Sequence, residues 1–167
     1  TLFILFLVLS TFAVAEEKEK PNPGLNEASL EGLEWRSIGP SMTAGRIADI
    51  AVNPKNRNQW YVGVGSGGVW KTDNRGTTWE PIFDSEDSYS IGCISIDPNN
   101  AETIWVGTGE NVSGRHVAYG DGVYKSLDGG KSFKNMGLKT SEHIGKIIVH
   151  PTNENVIWVA AYGPVWS

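Results

Sequence analysis

By type and position, Arg46, Glu110 and His143 are the residues of this chain best suited to handle a ligand. Arg46 and His143 each stand immediately before an apolar segment, 47–53 and 144–150, and Ser90 holds the same place before 91–97. Glu110 closely follows another apolar run, 104–108. An arginine there offers a planar fork for a carboxylate or for hydroxyl groups, and Glu110 is a candidate acid/base or hydrogen-bonding group. Beyond Glu110 the chain reads N-V-S-G-R-H-V-A-Y-G-D, carrying Arg115, His116, Tyr119 and Asp121. The sibling connection earlier in the chain is only Gly65-Ser66-Gly67, ten residues shorter. A loop that outgrows its sibling while gathering polar side chains is where binding or catalysis is grafted. Ser66 faces the same way and joins the ligand-binding set. Asp84, Glu86 and Asp87 add carboxylates. Cleavage of a glycosidic bond needs two carboxyl groups about 5–5.5 Å or about 6.5–9.5 Å apart, a separation that the fold must set.

The elements that carry these residues repeat. Residues 122–133 read G-V-Y-K-S-L-D-G-G-K-S-F, and 54 residues earlier, at 68–79, the chain reads G-V-W-K-T-D-N-R-G-T-T-W. Ser126, Asp128, Gly130 and Phe133 match Thr72, Asn74, Gly76 and Trp79. An alternating run enters a polar turn whose short Asx side chain accepts backbone N–H bonds, and an aromatic follows. Three prolines, Pro54, Pro98 and Pro151, each close one of the apolar segments, and seven residues after each comes Tyr61, Trp105 or Trp158. This ruler predicts strand A at 47–53, 91–97 and 144–150, and strand B at 60–64, 104–108 and 157–161. It puts strand C at 69–72 and 123–126, with strand D starting at Trp79 and Phe133. Four short antiparallel strands in a repeat of this length read as blades. The fold class is all-β, with strand A of the second blade paired to strand B and no long helix in 45–162.

Turns of such a blade alternate between two faces. The A–B turns share one face with the polar C–D turns, so the residues at 72, 74, 76 and 79 and at 126, 128, 130 and 133 are structural. The D–A and B–C connections share the other face, which predicts that Arg46, Glu110 and His143 meet on one rim with the 111–120 loop as its wall.

The chain has 167 residues, 20 Gly and 7 Trp, a mixture suited to a turn-rich β-protein. A net charge of −5 lacks the electrostatic footprint of a nucleic-acid partner. A single cysteine, Cys93, excludes an intrachain disulfide and reads as a buried, inert thiol. His116, His143 and His150 lack ligand spacing, so no metal is expected, nor any cofactor. Residues 1–15 resemble a secretory signal peptide, N-terminally truncated and cut before Glu16. An anchor is the alternative reading. With a cleaved leader, no stable membrane insertion is expected and the protein is secreted or lies in the periplasm or envelope. Residues 16–32 read as a flexible leader.

From about residue 33 the chain resembles the Asp-box, or BNR-repeat, β-propellers. The likeness is to sortilin-type domains and xyloglucanase-like bacterial glycosyl hydrolases. The phrases W-R-S-I-G-P (35–40), G-R-I-A-D-I-A-V-N-P (45–54), G-S-G-G-V-W-K-T (65–72), W-V-G-T-G-E-N (105–111) and H-I-G-K-I-I-V-H-P-T-N (143–153) carry it. The resemblance implies an N-terminal fragment of a propeller. An orphan closing strand at 33–38 precedes blades at 45–82 and 89–136 and a half blade at 143–167, and the fragment alone leaves blade faces uncovered. It implies a glycan or polysaccharide ligand, with hydrolysis as one form. A protein or peptide ligand, as in sortilin-type receptors or photosystem assembly factors, is the alternative, and a scaffold is a third. Two departures stand out. Gly65 holds the place of the catalytic Asp of the xyloglucanases, and Arg46-Ile47 is followed by Ala48 where sialidases carry R-I-P.

Overall fold

A computed structural model describes residues 45–112 and 117–164. The proposed signal peptide, leader and closing strand at 33–38 lie outside the described residues, as do Arg115 and His116. The described residues form ten strands and no helix. Strands β1 (Ile47–Val52), β2 (Trp60–Val64), β3 (Gly68–Thr72) and β4 (Glu80–Pro81) make one antiparallel sheet in chain order. A second is built identically from β5 (Ile91–Ile96), β6 (Ile104–Thr108), β7 (Val123–Ser126) and β8 (Lys134–Gly137), and β9 (Ile144–His150) pairs with β10 (Asn153–Ala161). The expected pairing of the 91–97 segment with 104–108 is present, with Ser95 opposite Trp105. No helix among these residues is long and apolar enough to cross a membrane.

Several boundaries differ from expectation: β1 and β5 end at Val52 and Ile96, one residue short of 53 and 97, and β3 begins at Gly68 rather than 69. The fourth strands begin at Glu80 and Lys134, one residue past Trp79 and Phe133, because pairing with the third strand starts at Lys71 opposite Glu80 and Lys125 opposite Lys134. Strand β10 begins at Asn153 rather than Ile157, since Asn153 pairs with His150 before the register shifts.

Strand alternation distributes the core. In the second sheet Ile91, Ile94, Ile104, Val106 and Tyr124 turn to the first sheet and pack against Tyr61, Val69 and Phe83. Cys93, Trp105 and Val123 turn the other way, onto Ile144, Ile147 and Val149. A period of two makes each strand apolar on both faces, so each sheet serves as filling for its neighbour. Gly63 and Gly107 hold the same place in β2 and β6. A Cβ at either would lie 2.7 Å from Ile91 or 2.5 Å from Ile144, so the missing side chain lets the next sheet close in. On its far face the first sheet carries an apolar hollow of about 330 Å³, lined by Ile47, Ile50, Trp60, Val62, Val64, Trp70 and Trp79. Their counterparts in the second sheet, Ile94, Ile104, Val106 and Tyr124 among them, are the ones buried by the first.

The two polar turns share most of their wiring, although Asn74 Nδ2 donates to Thr78 Oγ1 where Asp128 accepts from Ser132 Oγ. Ser126 Oγ donates to Asp128 Oδ1 at 2.8 Å and accepts from Gly130 N at 2.9 Å, while Asp128 accepts from Ser132 N at 3.0 Å and Ser132 Oγ at 2.6 Å. Thr72, Asn74, Gly76 and Thr78 repeat the pattern, with Gly76 N at 2.9 Å from Thr72 Oγ1 and Thr78 N at 2.8 Å from Asn74 Oδ1. Each turn is tied to the A–B turn of its own sheet: Gly129 N donates to Glu102 O at 2.9 Å, and Arg75 N to Asn58 O at 2.9 Å. The turns are built on bonds to their own backbone.

The Ser132 hydroxyl and N–H, and then the Ser126 hydroxyl, hold the Asp128 carboxyl well below the usual carboxylate range. A depressed folded-state pKa contributes stability above the unfolded value, near about 4, and loses it as pH falls toward the folded value. Asp128→Asn should therefore melt below wild type at neutral pH, with the gap narrowing as pH drops below about 4. Thermal unfolding of both proteins across that range checks it. A gap that does not change with pH contradicts the assignment.

Candidate functional site

The D–A and B–C connections do share one face, and the backbone pins them. The residue after each B strand donates to the residue before its A strand: Gly65 N to Arg46 O at 2.8 Å, Gly109 N to Ser90 O at 2.7 Å, and Tyr162 N to His143 O at 2.9 Å. Just inside each bond the register of the A–B pair shifts, skipping Ala48, Gly92 and Gly145. A bulge bends a strand and re-aims its side chains. The same bulge in three successive sheets therefore turns Arg46, Ser90 and His143 inward along the rim.

All three converge on Glu110. Arg46 Nε and Nη2 each donate to one of its carboxylate oxygens. Its backbone N donates to Ser90 Oγ at 3.0 Å, and its carbonyl accepts from His143 Nδ1 at 2.8 Å. The Glu110 side chain is 2% exposed and that of Arg46 52%. A Cβ at Gly65 would lie 2.6 Å from Glu110 Oε1, so glycine at that place is a steric condition of the Glu110 seat. Of the two roles expected for Glu110, acid/base or hydrogen-bonding group, the second is the one its contacts with Arg46 display. Both of its oxygens are engaged and buried, whereas the outer edge of Arg46 is open.

Asn111 continues the wedge, its Nδ2 donating to Gly92 O at 3.2 Å and Gly145 O at 3.0 Å, the carbonyls of two bulge residues. Asp121 holds the base of the loop. Its carboxylate accepts from the Tyr124 hydroxyl, and its N–H donates to Thr108 Oγ1 at 2.9 Å. Burial, and then the Asp121 carboxylate, push the Tyr124 phenol up to about 12. Asp121 is thus committed to the loop's own structure. Asp84 and Asp87 are exposed, and among the described residues no hydrogen bond or ion pair joins Asp84, Glu86 or Asp87 to Glu110 or Asp121. Ser66 is exposed on the short connection. His143 is buried, with the ring of Tyr119 5.5 Å away and tilted by 57°. Burial pushes the Cys93 thiol up to about 12. Among the described residues no three His, Cys, Asp or Glu side chains are grouped to hold a metal ion.

Two rim residues escaped the sequence reading. Tyr89, whose carbonyl accepts from Gly68 N at 2.8 Å, is 63% exposed, and Tyr162 is 64% exposed, beside Tyr119 at 58%. Their signal is an aromatic next to a strand end and outside the apolar alternation, as in S-Y-S (88–90) and A-Y-G (161–163).

No family model matches the chain, and no curated protein matches it. Solved structures do. The chain superposes on an ancestral GH74 enzyme with a TM-score of 0.54 and 23% identity, over 68% of this chain and 16% of that one. It is also similar to the GH74 enzyme of Niastella koreensis, with a TM-score of 0.47 and 25% identity over 60% of this chain and 15% of that one. YCF48 from Cyanidioschyzon merolae gives a TM-score of 0.47 and 21% identity, over 75% of this chain and 37% of that one. The chain thus spans about a sixth of the length of the GH74 enzymes it matches. The first superposition, together with the two four-stranded sheets, shows the fold: the described residues are blades of a β-propeller.

Proposed function

We propose that these blades form part of the binding rim of a secreted or envelope propeller of the Asp-box type, and that the rim takes a glycan. The observation that carries this reading is the set of exposed aromatics around a closed charge pair. Tyr89, Tyr119 and Tyr162 are exposed and stand on the D–A and B–C connections, the same set of connections that carries the half-exposed Arg46. A tyrosine has a flat apolar body and a polar tip, which suits the apolar face and hydroxyl edge of a sugar ring. Ser66 and the outer edge of Arg46 supply hydrogen bonds to hydroxyls. Glu110 holds Arg46 in place and does not protonate a leaving group. The rim of this segment binds, and no cleavage step is assigned to it.

The test is affinity for a panel of soluble neutral and acidic polysaccharides, measured on the protein beside Tyr119→Ala and Tyr162→Ala. Each variant should bind its best ligand about five- to tenfold more weakly with an unchanged melting temperature, because both rings lie outside the core. Wild-type affinity in both variants overturns the reading, as does a panel without a binder.

A further inference from the structure

We infer that the buried edge of His143 reads a hydroxyl of the ligand: Nε2 accepts its hydrogen bond once the Tyr119 ring has turned aside. The inference rests on the rim being the glycan-binding face. His143 Nδ1 lies 2.8 Å from the Glu110 carbonyl, and a carbonyl only accepts, so the proton of the neutral ring is on Nδ1 and Nε2 is an acceptor. His143 has no solvent exposure, and Nε2 has no hydrogen-bond partner among the described residues. Buried polar atoms nearly always have one. The imidazole itself is fixed. Its residue is held by the bonds from Tyr162 N to His143 O at 2.9 Å and from His143 N to Ser141 O at 2.6 Å. The Tyr119 ring beside it, with centroids 5.5 Å apart, is more than half exposed and can rotate about its own side-chain torsions without opening the core.

An uncharged acceptor selects a donor and rejects carboxylate or phosphate oxygens, which would oppose its lone pair. Glu110, whose carbonyl meets His143 Nδ1, has its carboxylate paired with Arg46, so that carboxylate does not favour a cation over a neutral group. The class that fits is a polyhydroxylated, uncharged ligand, with one hydroxyl on Nε2 and a ring face on Tyr119 or Tyr162.

His143→Asn and His143→Gln separate the two nitrogens. Asparagine can place its amide N–H near Nδ1 and keep the bond to Glu110, but it does not reach the Nε2 position. Glutamine reaches that position with its carbonyl. The probes are neutral α- and β-linked glucose hexasaccharides, with a glucuronate oligomer as the acidic arm. Asparagine should weaken neutral-oligosaccharide binding about tenfold, and glutamine should recover part of it. In wild-type protein the ¹⁵N resonance of Nε2 should move on titration with the hexasaccharides and stay put with the glucuronate. This readout holds even if a variant misfolds. If Tyr162→Ala weakens binding but the Nε2 resonance never moves, the His143 assignment falls and the rim stands. If the resonance is still and Tyr162→Ala binds as wild type, both fall.

Discussion

Phe83→Ala should lower the unfolding free energy by about 3–5 kcal/mol, the usual cost of removing a fully buried aromatic. Phe83 is 1% exposed and follows β4 of the first blade. It crosses to the second blade and lies edge-on to Tyr124, at 5.1 Å and 79°, and to Phe133, at 4.9 Å and 77°. Such T-shaped pairs add to the burial term. The loss reaches further than its own contacts. Phe133 ends the polar turn of the second blade, and Tyr124 carries the hydroxyl that holds Asp121 at the base of the long loop. Urea unfolding should show a lower midpoint with the same slope, and Phe83→Leu should recover much of the difference. A loss below about 1 kcal/mol, small for a buried side chain, contradicts this account of the blade interface.

The second large effect is asymmetric. Arg46→Ala should lower the melting temperature by on the order of 10 °C, and Glu110→Gln by clearly less. Removing the arginine strands a carboxylate that is 2% exposed, whereas removing the carboxylate charge leaves an arginine that is 52% exposed and can take up water. Breaking a buried pair from the exposed side is the costlier cut. Adding Glu110→Gln to Arg46→Ala should therefore recover stability, because the stranded charge goes with it. Melting curves of the two single variants and the double decide it. Additive losses would mean that the pair is not a unit.

The blades were legible in the order and spacing of residues. The spacing of Pro54, Pro98 and Pro151, and the two copies of the polar turn, place nearly every strand to within a residue or two. Both signals are local: a period of two and a side chain bonding its own turn need no distant partner. Antiparallel order then decides which connections share a face, so the convergence of Arg46, Glu110 and His143 could be read without coordinates. What they do there depends on contacts made across the fold. Glu110 is closed off by an arginine 64 positions away and by the bare Cα of Gly65. His143 is buried beside the ring of Tyr119, whereas Tyr89 and Tyr162 stand open. The three bulges that aim the rim residues depend on how two strands slip past each other, which alternation does not encode. A residue's type and period are properties of the chain, but its exposure and the partners of its charge belong to the neighbours that folding brings against it.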